Sequence, residues 1–407
     1  MYLASLYRIA CMGALLMLQY NLFGQLQTNN QYKVRIDTIY AAPEQLFLHA
    51  RTAAWSDKGK TASVMTTSSH GFRTHAFGDL YVLSKDAGNS QWSVPKKIEA
   101  LALRSINDSL LTVIGDVTPG WHEKSRTVLC TGKSFFYRIN DTAASNKRMD
   151  VEGMQEVAYA TYDPAGKSWS GLQTVKFPPK LNNGDDFAGV NAGCTQRVDL
   201  ADGTILLPVR YVKNKKYITT VIQCSYDGKS LKYLRHGSTF SVPIGRGLYE
   251  PSVMDYKNRY FLTMRADSSG YVARSNDGLN FEPMKEWVYD DGEVLGSYNT
   301  QQHWISNQQG LFLVYTRKGA GNDHIYRHRA PLFIARVDPD KLCIIRKTEQ
   351  VLMPIPTDNG DQGNFGITHI DSGETWVTVA VYPPVDRIYT RDRMTRIEIA
   401  KIYWNNK

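Results

Sequence analysis

The chain has 407 residues, of which 42% are hydrophobic and 21% are charged, and its formal net charge is +9. These proportions are typical of a soluble globular protein. Lysine and arginine are scattered rather than grouped in a long run, which argues against a nucleic-acid-binding tail and favours a basic concave surface for an acidic small ligand or glycan.

Residues 1–24 have the form of a signal peptide. Arg8 precedes an apolar run over residues 9–18, and the small residue Gly24 stands before a polar segment. The run is too short for a membrane-spanning helix. We therefore predict cleavage near Gly24, secretion or release into the periplasm without stable membrane insertion, and a single domain over residues 25–407.

Beyond this leader, short hydrophobic runs stand between Gly, Asn and Asp turn signals. Clear examples are residues 204–209, 260–264, 311–315 and 375–379. Runs of this length, bounded by turn residues, predict β-strands, and no convincing amphipathic helix is found. The sequence therefore predicts an all-β protein.

A short phrase recurs along these strands: a hydroxyl residue, any residue, Asp, then Gly and an aromatic residue. It occurs at residues 84–92, 161–169, 225–233 and 275–281, with a looser form at 337–339. The phrase is typical of a hairpin turn, because Asp caps the backbone, Gly adopts positive φ and the ring packs beneath the turn. Copies at long, roughly even spacing indicate one four-stranded unit used many times. We predict a β-propeller, with six blades preferred and seven possible.

This phrase is the Asp box, and with it the chain resembles the sialidase superfamily of β-propellers over nearly all of its predicted mature length. The likeness is sharpest where Glu250 precedes Pro-Ser, the next strand ends in Arg265, and an Asp box follows at residues 275–281. The resemblance implies that Glu250 lies beside the catalytic tyrosine. It also implies that Arg265 is one of three arginines that bind the carboxylate of the sugar.

The same order implies the other two arginines of the set. Arg51 is expected to be the first and Arg329 the third, with Arg317 as a competing candidate. Three converging guanidinium groups are costly without an anion, and each forms charge-assisted hydrogen bonds with a carboxylate. The alternative is that these arginines pair with Asp or Glu between blades.

The chain departs from the family at two catalytic positions. Where the family has its tyrosine, the chain reads Gly-Asn-Phe-Gly, with Phe365, and a phenyl ring has no hydroxyl to attack a sugar. The loop over residues 68–79 should carry the acid/base aspartate but offers His70, Arg73 and His75 instead. We expect His70 or His75 to be the acid/base group, and Arg73 to contact the substrate.

A dense polar stretch covers residues 296–304 and ends in a tryptophan. It contains Gln301, Gln302 and His303. Amides, hydroxyls and an aromatic ring suit a sugar-binding rim, although a polar seam between blades would have the same composition. His324 is expected to border the same pocket.

No metal site and no cofactor are predicted. His324 and His328 have the i, i+4 spacing of a zinc pair, but no helix is evident and no third ligand is obvious. The acidic segment at residues 290–293 fits a turn better than a calcium site.

Together these features predict an exported, monomeric, sialidase-like propeller that removes a terminal acidic sugar from a glycan by hydrolysis. A hydrolase would pair His70 with Glu250 or Asp79 as its two acid/base groups. Two alternatives stay open. A polysaccharide lyase would use His, Tyr and Arg to eliminate at a uronate, and a propeller without catalysis would only bind the glycan.

Overall fold

The computed structural model describes residues 27–28, 31–42, 53–56, 61–69, 77–86, 88–89, 91–138, 155–381 and 395–405. Within these ranges the chain forms six antiparallel sheets, each of which is one blade of a propeller. Three 3₁₀ turns accompany the strands, at Glu99–Leu101, Tyr326–His328 and Arg346–Thr348.

The strands follow one another blade by blade. The first two, β1 (Gln27–Thr28) and β2 (Tyr32–Ala42), belong to the last blade. Blade 1 contains β3 (Ala53–Ser56), β4 (Thr61–Ser69), β5 (Phe77–Asp86) and β6 (Lys96–Lys97). Blade 2 contains β7 (Arg104–Asn107), β8 (Leu110–His122), β9 (Thr127–Arg138), β10 (Val157–Asp163), β11 (Ser168–Trp169) and β12 (Gln173–Thr174). Blade 3 contains β13 (Val198–Asp199), β14 (Thr204–Lys213), β15 (Lys216–Tyr226) and β16 (Leu231–Phe240).

The second half of the ring is built in the same way. Blade 4 contains β17 (Tyr249–Tyr256), β18 (Arg259–Arg265), β19 (Gly270–Ser275) and β20 (Lys285–Glu286). Blade 5 contains β21 (His303–Asn307), β22 (Gly310–Tyr315), β23 (Leu332–Asp338), β24 (Cys343–Ile344) and β25 (Gln350–Met353). Blade 6 contains β26 (Phe365–His369), β27 (Glu374–Val381) and β28 (Thr395–Trp404).

The ring is closed by pairing the two ends of the chain. Strand β2 runs antiparallel to β28, from Tyr32 opposite Trp404 to Ala42 opposite Thr395. Blade 6 is therefore shared between the N-terminal and C-terminal parts of the sequence. This pairing joins the N-terminal strands to the last blade through backbone hydrogen bonds.

The hydrophobic core lies in the seams between neighbouring blades. Six large clusters of buried side chains each combine residues of two adjacent blades. In the seam of blades 4 and 5, the fully buried rings of Trp287 and Trp304 have centroids 5.7 Å apart. Because the inner strands are covered on both faces, they read as the short apolar runs seen in the sequence.

The two ends of the propeller carry different loops. At one end, which we call the lower end, the third strand of a blade turns into the fourth. There Oδ1 of Asp277 accepts hydrogen bonds from the backbone nitrogens of Leu279 and Asn280, at 2.9 and 2.7 Å, and Gly278 has φ of 76°. Burial raises the pKa of Asp277, but these hydrogen bonds outweigh it and bring the pKa to about 2. At the opposite, upper end the second strand of each blade leads into the third.

The predictions of an all-β chain and of a six-bladed propeller are confirmed. The predicted signal peptide, residues 1–24, lies outside the described residues. In the part of the chain that the structure describes, no helix has the length and apolar character needed to cross a membrane.

Candidate active site

Two buried arginines lie at the upper end of the neighbouring blades 4 and 5. Arg265 ends β18, and Arg329 lies in the loop that leads from β22 to β23. Their exposed fractions are 4% and 5%. Nη2 of Arg265 donates to the side-chain oxygen of Asn299 at 3.4 Å. Nη2 of Arg329 donates to the backbone oxygen of the same asparagine at 3.3 Å. One asparagine therefore joins the two guanidinium groups.

Each of these arginines has a carboxyl group beside it, but at different distances. Nη1 of Arg265 lies 2.5 Å from Oε2 of Glu250. Nη1 of Arg329 lies 4.0 Å from Oδ2 of Asp361. Glu250 has φ of 47°, in the left-handed region that is costly for a residue other than glycine. The fold thus holds Glu250 against Arg265 at the expense of local backbone strain.

The two arginines differ in how well their charge is compensated. Burial lowers the pKa of Arg265, but Glu250 and Tyr249 outweigh it and raise the pKa above its usual value. Burial lowers the pKa of Arg329, and nearby Arg265 adds to this effect, although Asp361 acts against it. Burial likewise raises the pKa of Asp361. Among the described residues, Nε of Arg265 and Nε of Arg329 have no hydrogen-bond partner. A buried donor left in this state costs about 1–3 kcal/mol, so a ligand with acceptor atoms would be stabilised here.

The position of the Arg329 side chain depends on a glycine in the next blade. A Cβ atom placed on Gly363 would lie 2.4 Å from Cδ of Arg329. No real side chain tolerates such a contact with a buried neighbour, so Gly363 leaves room for the arginine. The loop before β26 therefore shapes the site through Gly363 as well as through Asp361.

Arg246 forms an outer layer of this site together with Tyr249 and Asp267. Nε and Nη2 of Arg246 lie 3.1 and 2.6 Å from Oδ1 of Asp267, and the hydroxyl of Tyr249 donates to the same oxygen at 2.6 Å. Burial raises the pKa of Asp267, but these contacts outweigh it and hold the pKa well below its usual range. The Tyr249 ring has the guanidinium carbons of Arg246 and Arg265 at 4.6 and 4.4 Å from its centroid, close enough for cation–π attraction.

Comparison with known proteins relates this architecture to solved structures. No protein-family model matches the sequence, and no curated protein matches it. A Dyadobacter fermentans protein of unknown function is 15% identical with a TM-score of 0.59, over 91% of this chain and 99% of that chain. Trypanosoma rangeli sialidase, in complex with the inhibitor DANA, is 12% identical with a TM-score of 0.58, over 87% of this chain and 55% of that chain. The chain has the sialidase fold.

A third structure agrees with this result. The Hadza microbial sialidase Hz136 is 12% identical with a TM-score of 0.54, over 88% of this chain and 68% of that chain. Likenesses at such identity establish the sialidase fold, and the chain spans only about half the length of the trypanosomal enzyme. The chemistry of this sialidase-fold protein therefore has to be argued from its own residues.

Of the two arginines that the sequence offered as a partner for Arg265, Arg317 is engaged elsewhere. Its Nη2 and Nε lie 2.6 and 3.0 Å from the two carboxylate oxygens of Glu349. That carboxylate also accepts hydrogen bonds from the hydroxyls of Tyr289 and Tyr315. Arg317 thus follows the alternative interpretation, an ion pair within the scaffold, and Arg329 is the residue that the structure brings to Arg265.

The two glutamines of the polar stretch behave differently. Gln301 and Gln302 precede the innermost strand of blade 5 and have exposed fractions of 0% and 1%. Oε1 of Gln302 accepts a hydrogen bond from Oγ1 of Thr263 at 2.5 Å, so Gln302 belongs to the polar seam. Neither amide atom of Gln301 has a hydrogen-bond partner among the residues that the structure describes. The structure therefore distinguishes Gln302, which is hydrogen-bonded within the seam, from Gln301, whose amide is buried without such a bond to any described residue.

His303 and Phe365 lie in the interior between innermost strands. Nδ1 of His303 is 2.7 Å from the hydroxyl of Ser252, and its ring centroid is 5.1 Å from that of Phe365. Both residues are fully buried, and Phe365 belongs to the hydrophobic seam of blades 5 and 6. The structure thus places His303 and Phe365 in the packed interior, where His303 contacts both Ser252 and Phe365.

The remaining predicted residues divide between the surface, the scaffold and the part of the chain outside the described ranges. His324 is exposed on the loop between β22 and β23. Asp79 accepts a hydrogen bond from the backbone nitrogen of Leu103 at 2.9 Å and pairs with Lys97 at 3.0 Å. Within the described ranges, no three His, Cys, Asp or Glu side chains are grouped to hold a metal ion. The residues that lie outside the described ranges are Arg51, His70, Arg73 and His75.

Sequence reasoning missed three charged residues of the site. Arg246 stands just before Glu250, Asp267 just after Arg265, and Asp361 in the loop before β26. All three lie in loops at the upper end of the propeller. Their position in the sequence could have revealed them. Charged residues that flank the predicted inner strands lie in loops that meet at one end of the ring.

Proposed function

We propose that this propeller binds the carboxylate of a terminal acidic sugar through Arg265 and Arg329 and hydrolyses the glycosidic bond of that sugar. The observation that carries the proposal is the buried arginine pair, in which both Nε donors lack a hydrogen-bond partner among the described residues and Arg329 has only a distant carboxyl group. Glu250 and Asp361 lie beside it, and two acidic side chains are what glycosidases generally use.

The preference for an anion has an electrostatic basis. Arg265 has a close carboxylate in Glu250, whereas Arg329 has the more distant Asp361, whose pKa is raised by burial. The positive charge of Arg329 is therefore less well compensated than that of Arg265. A ligand carboxylate offers two acceptor oxygens to the planar guanidinium groups, and each charge-assisted hydrogen bond contributes about 1.5–3 kcal/mol.

The neighbouring side chains support a sugar rather than a simple organic acid. Asn299, Tyr249 and Asp267 form the hydrogen-bonded rim of the arginine pair, and the buried amide of Gln301 lies on the same segment as Asn299. Amides, hydroxyls and carboxylates are the usual partners of sugar hydroxyl groups. Trypanosoma rangeli sialidase has been solved in complex with sialic acid, which makes sialic acid the first sugar to test.

In this proposal Asp361 is the acid that protonates the leaving oxygen. Its exposed fraction is 8%, and the rise in its pKa favours a carboxyl group that holds its proton. Glu250 is the second carboxyl group, and His70 or His75 remains the acid/base histidine predicted from the sequence of residues 68–79. We also propose that the protein acts as an exported monomer, with residues 1–24 as its signal peptide.

The experiment offers the purified protein methylumbelliferyl glycosides of sialic acid and glucuronic acid, together with uronate-containing polysaccharides. Hydrolysis is expected to release the fluorophore or new reducing ends without the ultraviolet absorbance of an unsaturated uronate. Arg329→Met should abolish this turnover, and Arg259→Gln, at the lower end where Arg259 pairs with Asp340, should leave it unchanged. A rise in absorbance would show a lyase and overturn hydrolysis, and inactivity on every substrate would overturn catalysis.

A further inference from the structure

A second group of titratable side chains lies next to the arginine pair. The hydroxyl of Tyr298 and Nδ1 of His328 are 2.6 Å apart, and Nε2 of His328 is 3.1 Å from Oδ1 of Asp323. The three residues form one hydrogen-bonded chain, from the partly buried phenol of Tyr298 to the carboxylate of Asp323, whose side chain is 94% exposed. We call these three residues the tyrosine relay.

Hydrogen-bond chemistry sets the direction of this chain. An ionised Asp323 only accepts hydrogen bonds, so Nε2 of His328 carries the proton between them. In a neutral imidazole the other nitrogen, Nδ1, is then an acceptor, and the hydroxyl of Tyr298 donates to it. The relay is therefore oriented to move a proton from Tyr298 to His328, with Asp323 placed to stabilise the imidazolium that results.

The backbone holds His328 in this place under strain. Arg327 and His328 both have φ of 53°, so two consecutive residues with side chains adopt the left-handed conformation. The buried side chain of Asn322 fixes the loop, since Nδ2 donates to the backbone oxygens of Arg317 and Ala330 at 3.0 and 2.8 Å. Strain of this kind is maintained only where the surrounding contacts impose it, and it clusters at functional sites.

The tyrosine relay is connected to the arginine pair by the chain itself. Tyr298 directly precedes Asn299, which contacts both arginines, and Arg329 directly follows His328. The charged groups around the phenol are Lys318, whose Nζ lies 4.5 Å from the ring centroid, and Arg327, Arg329 and Asp323. Burial raises the pKa of Tyr298, while Arg327 and Arg329 act against this rise.

We propose that the tyrosine relay moves the proton of the reaction at the arginine site, with Tyr298 exchanging it with the substrate and with His328 and Asp323 as positioning residues. This inference rests on the proposed function. It supplies a proton-transfer group from residues that the structure describes, whereas the predicted acid/base histidines, His70 and His75, lie outside the described ranges.

In hydrolysis, the tyrosine relay takes up the proton of the attacking water. A water O–H bond breaks, its proton moves to the phenol oxygen of Tyr298, and the proton of Tyr298 moves to Nδ1 of His328. The electron pair of the water oxygen forms the bond to the anomeric carbon. The glycosidic C–O bond breaks with its electron pair on the leaving oxygen, which takes the proton of Asp361. The imidazolium of His328 returns its proton to solvent, and Asp361 regains one from solvent.

The test uses three variants of the full chain and the glycoside that the wild-type protein hydrolyses. Tyr298→Phe removes only the hydroxyl, and kcat should fall about 10²–10⁴-fold while the affinity for the free acidic sugar, measured by calorimetry, stays unchanged. His328→Gly suits the left-handed backbone at this position, and its loss of kcat should be partly restored by added imidazole. Asp323→Asn should lower kcat less, because the carboxylate is exposed to water.

The control is Tyr256→Phe, which removes a hydroxyl at the end of β17 and should leave kcat unchanged. If the wild type hydrolyses its substrate and Tyr298→Phe does so equally well, the relay is overturned while the proposed function stands. If His328→Gly loses activity that imidazole does not restore, His328 has no role in proton transfer. If the wild type binds acidic sugars without hydrolysing them, or binds none, the proposed function itself has failed.

Discussion

Two arginines in the loop between β22 and β23, Arg317 and Arg329, have opposite environments. Arg317 places Nε and Nη2 on Glu349 and Nη1 on the backbone oxygens of Lys318 and Gly319. Arg329 is more deeply buried, yet its nearest carboxyl contact, Asp361, is at 4.0 Å, and its Nε has no hydrogen-bond partner among the described residues.

This difference separates a scaffold arginine from a binding arginine. A buried cation whose donors are all used stabilises the fold, because removing it strands its partner. A buried cation with an unused donor lowers the stability of the empty site and raises the affinity for an anion that satisfies it. Sequence position did not distinguish the two residues, but their partners do.

The largest effect is expected at the scaffold arginine. Arg317→Met would leave the carboxylate of Glu349, whose side chain is 13% exposed, without its cation. The free energy of unfolding, measured by urea denaturation, should fall by about 3–5 kcal/mol. The change should leave affinity for an acidic sugar unaltered in the protein that remains folded, and weaker sugar binding would remove the distinction between the two arginines.

Arg329→Met should have the converse effect. Affinity for an acidic sugar, measured by calorimetry, should fall by about 1.5–3 kcal/mol because a charge-assisted hydrogen-bonding group is lost. The free energy of unfolding should not fall, since burial already disfavours the charged form of Arg329 and lowers its pKa. A destabilised variant with intact binding would reverse the roles assigned to Arg317 and Arg329.

A smaller change tests the placement of Arg329 without removing its charge. Gly363→Ala would bring a methyl group against the Arg329 stem and should weaken sugar binding by about 1 kcal/mol, in the lower range of overpacking effects. The matched control is Gly373→Ala, where a Cβ would find its nearest atom at 3.5 Å. Equal binding by both variants would show that the side chain of Arg329 is not fixed by Gly363.

The smallest effects concern pH, and they should have opposite signs at Glu349 and Asp361. Burial raises the pKa of Glu349, but hydrogen bonds from Arg317 and two tyrosines outweigh it, so the folded-state pKa is lowered. Its stabilisation is present above the unfolded-state pKa and is lost as the pH falls through the folded-state pKa. The pKa of Asp361 is raised, so its ionisation makes the folded protein less stable as the pH rises from the unfolded-state pKa through the folded-state pKa.

Urea denaturation at a series of pH values measures both trends. Glu349→Gln should be less stable than the wild type at neutral pH, and the difference should shrink in acid. Asp361→Asn should be more stable than the wild type at neutral pH, and this gain should also shrink in acid. If both variants changed the free energy of unfolding in the same direction at neutral pH, the contrast between the Arg317–Glu349 pair and the Arg329–Asp361 pair would be contradicted.

The fold could be predicted from the sequence, and so could the placement of Glu250 and Arg265 at one site. The Asp turns and short apolar runs predicted a propeller, and Glu250 and Arg265 meet as an ion pair. Local patterns carry this information because a turn depends on consecutive residues, and a residue at the end of an inner strand necessarily lies at the end of the ring.

The parts that sequence could not supply depend on contacts between distant segments. Arg317 was ambiguous because its partner Glu349 lies two strands later in the chain. His303 looked like a rim residue because its burial arises only when blades 4, 5 and 6 assemble around it. The link of Tyr298 to His328 likewise requires two separate loops.

The most direct test of the central claim is a calorimetric titration of the wild-type protein with sialic acid and with its carboxamide analogue, which differs only in lacking the negative charge. The arginine pair predicts that the carboxylate binds, that the carboxamide binds far more weakly, and that Arg329→Met removes the difference. Equal affinity for the two ligands, or binding of neither by a folded protein, would contradict the assignment of Arg265 and Arg329 to an acidic sugar.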